Sequence, residues 1–276
     1  MNKNKRRALS IAVTVVAILI GLVSIFPIVY TVTTAFKPRS ELTAYPPTVL
    51  PENPTLDNFK TALNTAPLFR FMANSLIMSL LGAVLRITFA VLAAYVFANY
   101  QFRGSTFLFL LLMGTMMLPG DTLLMTNYLT VSKLHLLDTY MGMCITSLVG
   151  ASQMFMLRNF FKTLPRSLKD AAAIDGCGDI RYMMRIALPL SKPIVITLFV
   201  QTFITLWNAY LWPLLVTNDP EMRTVQVGIT MLTTPLDTNY SLVLAGVSVI
   251  LIPSFVLFVI LRKNIKHGIT DGALVG

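Results

Sequence analysis

Residues 170–193 read DAAAIDGCGDIRYMMRIALPLSKP, a charged, glycine-broken segment set inside a chain that is otherwise strongly apolar. Hydrophobic residues make up 55% of the 276 and charged residues 12%, and the mean hydropathy is +0.70. Such a composition is far from the even mixture of a soluble domain and fits a protein whose core is a bilayer. The segment is polar by exception, and what flanks it decides the fold.

Outward from it, six apolar runs lie at about 11–36, 71–98, 106–129, 139–155, 193–216 and 240–261. Each is near the roughly 20 residues a helix needs to cross about 30 Å of hydrocarbon. The pattern predicts an all-α polytopic membrane protein with six transmembrane helices. The second run contains Arg86, and Pro119 and Gly120 interrupt the third. The first follows KNKRR but is too long for the apolar core of a secretory signal, and no A-x-A site follows it, so it reads as a retained span.

Lys and Arg set the orientation. With the N-terminus inside, 15 of the 22 fall in inner segments: the four at 3–7, Arg103, the seven from Arg158 to Lys192, and Arg262, Lys263 and Lys266. Lys37, Arg39, Lys60, Arg70, Lys133 and Arg223 are outer, and Arg86 lies within a span. The bias places both termini, at 1–10 and 262–276, and the loop 158–192 in the cytoplasm. The net charge of +10 is thus a loop signal. No basic face with interleaved aromatics exists that would suit nucleic acid. The outer segment 37–70 carries Pro38, Pro46, Pro47, Pro51 and Pro54, an extended excursion without helix propensity until TLDNFKTAL at 55–63.

Enzymatic signatures are sparse. No G-x-x-x-x-G-K-[ST] loop occurs, and the two histidines, His135 and His267, are far apart without H-E-x-x-H. DGCGDIR at 175–181 resembles the start of the metal-binding motif of CDP-alcohol phosphotransferases, but its Ala-Arg pair and two further aspartates are lacking. Gly120-Asp121 lacks the partners that an intramembrane aspartyl protease requires. An intramembrane enzyme is therefore the remote alternative.

Read physically, the opening segment is a helical hairpin. Ser167 and Asp170 have the spacing of a capping box, and Leu168, Ala171, Ala172 and Asp175 share a helical face. Gly176 and Gly178 break that helix, and Asp179 is placed to cap a second one. There Ile180, Met183, Met184 and Ala187 form an apolar stripe until Pro189 and Pro193 end it. Such a small-residue surface suits insertion into a groove on a soluble partner, or an amphipathic hairpin lying on the membrane or its own bundle.

The spacing is more specific than the shape. An acid followed by Ala-Ala at 170–172, then Gly176, Ile186, Leu188 and Pro189, resembles the cytoplasmic EAA loop of ABC importer permease subunits. NSL at 74–76, AAYVFANYQFRG at 93–104, TMMLPGD at 115–121, WNAYLWPLL at 207–215 and GITDGALVG at 268–276 extend that likeness over nearly the whole chain. Together they are similar to the carbohydrate-uptake group, the MalG/UgpE-like binding-protein-dependent inner-membrane components. The chain departs from the usual motif at Asp170, where Glu is usual, and at Cys177-Gly178, where Ala-Ser is usual and a more flexible turn is expected.

The resemblance implies a type I importer fold with a MetI-like core in a bacterial inner membrane. It implies a dimer of ATP-binding subunits gripping Asp170, Ala171, Ala172, Ile174, Asp175, Gly176, Cys177 and Gly178. A second, homologous permease chain and an extracellular or periplasmic solute-binding protein would complete the machine. ATP and magnesium would be bound by the partner; this chain would bind no cofactor or metal and catalyse nothing. The tail, with Gly268, Gly272 and Gly276, would also approach the ATP-binding subunits. The implied solute is a di- or oligosaccharide, with glycerol 3-phosphate or a glycerophosphodiester as the alternative.

For the solute path, polar residues inside spans are the candidates, since they are costly in lipid. They are Asn74, Arg86, Asp121, Asn127, Gln153, Gln201 and Asn208. Arg86 would face a phosphate or sugar hydroxyl, or pair with Asp121 or a neighbouring chain; glycerol-phosphate-type permeases also carry a basic residue near this place. Pro119 and Gly120 would free backbone groups near a cavity or merely kink the span. Trp207 and Trp212 would anchor the fifth span at the interface in preference to stacking on sugar.

Overall fold

No charge interrupts the first run between Ile11 and Phe36, and it forms one helix, α1 (Lys3–Ala35). The computed structural model describes residues 3–46, 48–233, 239–253 and 255–256. The tail glycines Gly268, Gly272 and Gly276 lie outside the described residues, as does the side chain of Asp121. Among the described residues every regular element is helical.

The chain divides into two units. One joins the segment up to Leu68 with Gly228–Ser254. In α1 the large apolar side chains are exposed on all sides over Ile11–Val32, as suits a helix whose solvent is hydrocarbon, and burial begins only at Thr34 and Ala35. Beyond it the proline-rich excursion is tied down by polar groups. Asn58, on α2 (Asp57–Thr65), donates to the carbonyls of Ala35 and Lys37, both at 2.9 Å, and so covers the open C-terminal end of α1. The Glu41 carboxylate accepts from the amides of Glu52 and Asn53 at 3.1 and 2.8 Å.

The second unit contains Phe69–Val227. Its spine is α3 (Leu68–Asn99). The third apolar run is two helices rather than one. A helical stretch, α4 (Ser105–Gly114), continues as a 3₁₀ turn to Met117, and the backbone then turns extended at Leu118 (φ −84°, ψ 126°). The cause is Pro119, whose ring excludes the helical conformation from the residue before it. A second 3₁₀ turn, Gly120–Leu123, leads into α5 (Leu124–Lys133).

The fourth run is also broken, and extends further than its apolar stretch. Helical residues Tyr140–Ser147, beginning with α6 (Tyr140–Cys144), meet α7 (Ala151–Thr163) at a 56° bend. The fifth begins as α10 (Lys192–Trp207), pauses at Asn208 and resumes as α11 (Leu211–Val216). Between the fourth and fifth runs lie α8 (Arg166–Ile174) and the helical segment α9 (Asp179–Leu190), the latter meeting α10 at 78°. A final helix, α12 (Tyr240–Pro253), belongs to the first unit. Only Ile11–Ala35 and Leu68–Asn99 are single described helices long and apolar enough to span; each bent pair qualifies only if counted together.

Two buried clusters organise the second unit. Ala94 and Tyr95 of α3 pack with Leu157 and Phe161 of α7, Ala172 of α8, Tyr182, Met183 and Ala187 of α9, and Leu198 of α10. Met78, Val131, Met143, Cys144, Leu206 and Val216 form the other. Trp207 is buried and stacks on Phe203 at 6.0 Å, so it is core and not an interfacial anchor. Trp212 donates from its indole to the Gly142 carbonyl at 3.3 Å.

Candidate functional site

The helix α8 starts on Pro165, which supplies no side-chain cap, so the Ser167–Asp170 capping box does not form. Proline has already fixed the entry geometry (φ −59°). The other end is closed by backbone alone. Cys177 N donates to Ala172 O at 2.8 Å and Gly176 N to Ala173 O at 3.0 Å, the paired bonds of a Schellman motif. Gly176 holds the left-handed conformation this motif needs, φ +70°. Gly178 has φ −67°, which any residue adopts. The turn is therefore more ordered than its two glycines suggest. Cys177 and Ala172 both pack into the Tyr95 cluster, which completes the motif's apolar contact.

The second helix differs from expectation at both ends. Asp179 does not cap it; the N-cap is Gly178, without a side-chain bond. The Asp179 carboxylate instead joins Lys169 Nζ at 3.1 Å and the Tyr100 hydroxyl, while Lys169 lies over the Tyr100 ring at 5.0 Å. The Tyr95 hydroxyl donates to the Asp179 carbonyl at 3.3 Å. This clasp holds the Asp179 carboxyl below its ordinary value, chiefly through the Tyr100 hydrogen bond and then Lys169. The same hydrogen bond pushes the Tyr100 phenol up to about 12. Nor does Pro189 end the helix: Met183–Ala187 widens to a π turn just before it, and helix continues to Leu190. A π turn shifts the hydrogen-bond register, so the N–H that proline lacks is not missed.

Packing assigns the two faces of the hairpin. Ala172, Tyr182, Met183 and Ala187 point into the cluster, with the Tyr95 ring 5.9 Å from Phe161 and 6.5 Å from Tyr182. Ala172 is thus spent on the chain's own core. Ile180 and Met184, expected in the buried stripe, lie outside it. On the outer face Ile174 is 86% and Ile180 77% exposed, beside the exposed Asp170, Ala171, Asp175 and Gly178. Two branched apolar side chains at the tip of an anchored hairpin form a knob that water solvates poorly. Asp175 and Asp179 stand on opposite sides of the glycine turn and do not share a helix, unlike an aspartate metal motif.

The polar span residues are not gathered into one place. Asn74 is fully buried and its side chain is used up: it donates to the carbonyls of Glu221 (2.7 Å) and Arg223 (2.9 Å) and accepts from Tyr140 (2.8 Å). Gln153 is buried, accepting from Ser152 at 2.9 Å and donating to Thr202 at 3.4 Å. It adjoins Arg86, because a side chain on Gly150 would collide with both Gln153 Oε1 and Arg86 Nε. Arg86 Nε is buried without a hydrogen-bond partner, and no ion pair to Arg86 exists among the described residues. Asn208 donates to Ile204 O (2.9 Å) and accepts from Gln226 (3.4 Å). Asn127 is half-buried, and Gln201 is exposed on α10.

Sequence reasoning missed Tyr95, Tyr100 and Lys169, the residues that fix the hairpin. Both tyrosines lie within AAYVFANYQFRG, but only the fold brings that end of α3 against residues some 80 positions on, as the Tyr95–Asp179 bond shows. Arg158 serves the same junction: it donates to Phe97 O at 3.1 Å and stacks over Phe109 at 4.0 Å.

Residues 55–269 match the family described as binding-protein-dependent transport system inner membrane component. The arabinooligosaccharide transport permease AraQ of Halalkalibacterium halodurans is 31% identical over the full length of both chains. The sn-glycerol-3-phosphate transport permease UgpE of Yersinia pestis is 32% identical, over 96% of this chain and 98% of that one. Among solved structures, a bacterial ABC transporter involved in import of the acidic polysaccharide alginate superposes with a TM-score of 0.83 at 22% identity, covering 95% of this chain and 98% of that one.

Proposed function

The chain belongs to the family of binding-protein-dependent transport system inner membrane components, and we propose that it is a permease subunit of an ATP-driven importer for a carbohydrate-class solute. The ATP-binding subunit enters this account at the α8–α9 hairpin. One observation carries that assignment: the hairpin is locked to α3, α7 and α10 on one side and presents Ile174 and Ile180 on the other. A rigid lever with an apolar tip can transmit a displacement, whereas a loose loop absorbs it.

In this reading the contact with a dimer of ATP-binding subunits is made by Asp170, Ala171, Ile174, Asp175, Gly176, Cys177 and Gly178, with Ala172 supporting it from inside. ATP and magnesium are bound by those partners and no cofactor by this chain. The tail with Gly268, Gly272 and Gly276 adds a second contact. Six crossings are assigned to α1, α3, α4 with α5, α6 with α7, α10 with α11, and the segment beginning with α12. Lys and Arg asymmetry puts both termini and the hairpin on the cytoplasmic side of a bacterial inner membrane. A second permease chain and an external solute-binding protein complete the path. The side chains of Arg86, Asp121, Asn127, Gln201 and Asn208 are its candidate polar lining, whereas Asn74 and Gln153 support the packing.

A di- or oligosaccharide is the favoured solute, supported by the names of the AraQ relatives. Glycerol 3-phosphate or a glycerophosphodiester is the second reading. It draws support from the UgpE relatives and from Arg86, a span cation whose Nε is buried without a hydrogen-bond partner among the described residues. The test is photo-crosslinking in the assembled importer. A benzophenone amino acid in place of Ile174 should capture the ATP-binding subunit, and one in place of Met156 should not. Failure of the first, or capture by both, would remove the assignment.

A further inference from the structure

An open cleft of about 1000 Å³ lies at the foot of the hairpin, bounded by the exit of α3, the first turn of α4, the end of α7 and the start of α8. Four cations line it, Arg158, Lys162, Arg166 and Lys169, against a single acid, Asp170. Lys169 is partly neutralised by Asp179. Arg158 is held by a carbonyl and a ring, neither of which cancels its charge. Lys162 and Arg166 make no ion pair among the described residues. A concave site with one sign of charge concentrates counter-ions.

The cleft also opens onto apolar surface. The helix α4 begins at the cleft without a side-chain cap and carries Phe107, Leu110 and Leu111 along one face, at 68%, 60% and 57% exposure. A soluble anion would use the charges and ignore this track. A molecule with a phosphate head and hydrocarbon chains would use both.

We propose that this cleft holds the phosphate head of an anionic phospholipid, whose acyl chains lie along the exposed face of α4. The inference rests on the reading above, which places this end of the bundle at the cytoplasmic leaflet. The head group would bridge α7 and α8 through Lys162 and Arg166, and so brace the hairpin against the membrane from which it must push. Basic clusters at that leaflet are attracted to anionic lipid with each cation contributing.

The experiment uses the complete importer extracted from membranes containing phosphatidylglycerol and phosphatidylcholine, with retained lipid counted by native mass spectrometry. The double substitution Lys162→Glu with Arg166→Glu should weaken phosphatidylglycerol retention by roughly tenfold or more. The charge-matched control Arg181→Glu with Arg185→Glu, on α9 outside the cleft, should leave it unchanged. If the double variant does not assemble, Lys162→Gln is read in the same way, with a smaller loss expected. Equal retention in wild type and cleft variants would overturn the proposal. So would displacement of the lipid by millimolar inorganic phosphate, which would make the site one for a soluble anion. Retention is read whether or not solute crosses, so absence of uptake in every preparation would count against the importer reading alone.

Discussion

Gly176 and Gly178 are two residues apart and make opposite predictions. Alanine at 176 must enter the left-handed region at φ +70°, costing about 1–2 kcal/mol. Alanine at 178 has open space and an ordinary φ of −67°, and should stabilise by about 0.4–1 kcal/mol through the unfolded chain. Thermal unfolding of the two variants in detergent should shift in opposite directions. Asn74→Ala takes the buried amide donor from the Glu221 and Arg223 carbonyls, of which the first keeps Arg70 Nε at 3.4 Å, and the acceptor from the Tyr140 hydroxyl, and should cost about 1–3 kcal/mol by the same measurement. A residue that only faced solute would lose transport and keep its stability. The Asp179–Tyr100 clasp has a defined pH window. Because the Asp179 value is lowered, its contribution is complete above about pH 4 and is lost as pH falls through the lowered value. Because Tyr100 is raised to about 12, its contribution is complete below about pH 10 and disappears between there and about 12. Tyrosinate absorbance of Tyr100→Phe against wild type should show the missing chromophore titrating near the upper limit.

At the scale of elements, composition and periodicity identified the apolar helices and the hairpin, because both depend on local pattern. What they could not supply was set by contacts distant in sequence. The Ser167–Asp170 spacing is compatible with a capping box, yet Pro165 starts the helix without it. Asp179 has the chemistry of a cap, and tertiary structure uses it for Lys169 and Tyr100 instead. Pro189 reads as a stop, but the π turn before it carries the helix past. The break at Pro119 was legible from its residue type. The one at residues 148–150 was not, since Gly150 is explained only by the nearness of Arg86 and Gln153. The two faces of α8 give a prediction of their own. Ala172→Asp buries a charge among Tyr95, Phe161 and Tyr182 and should cost at least about 3 kcal/mol. Ile174→Asp, two residues on and exposed, should change stability by no more than about 0.5 kcal/mol. Protease protection of the hairpin in membrane vesicles should be lost in the first and kept in the second.

For the whole molecule, the clusters around Tyr95 and Met78 join α3 to every helix segment from α5 to α11. A push at the hairpin therefore meets close-packed helices, which move as bodies because packed interiors deform little. The same arrangement bears on why a chain so apolar keeps residues 170–193 polar: one face of that segment is core, and in the proposed function the exposed face meets a partner in water. In the proposed function, force enters through the exposed tip. Its most direct measurement is ATP hydrolysis and solute uptake by the reconstituted importer carrying Ile174→Asp with Ile180→Asp, on addition of solute-loaded binding protein. The double variant should form a stable, fully assembled membrane subunit in which binding-protein-stimulated uptake falls by at least about tenfold, the loss of roughly 1.4 kcal/mol of coupling. Wild-type uptake by that double variant would contradict it.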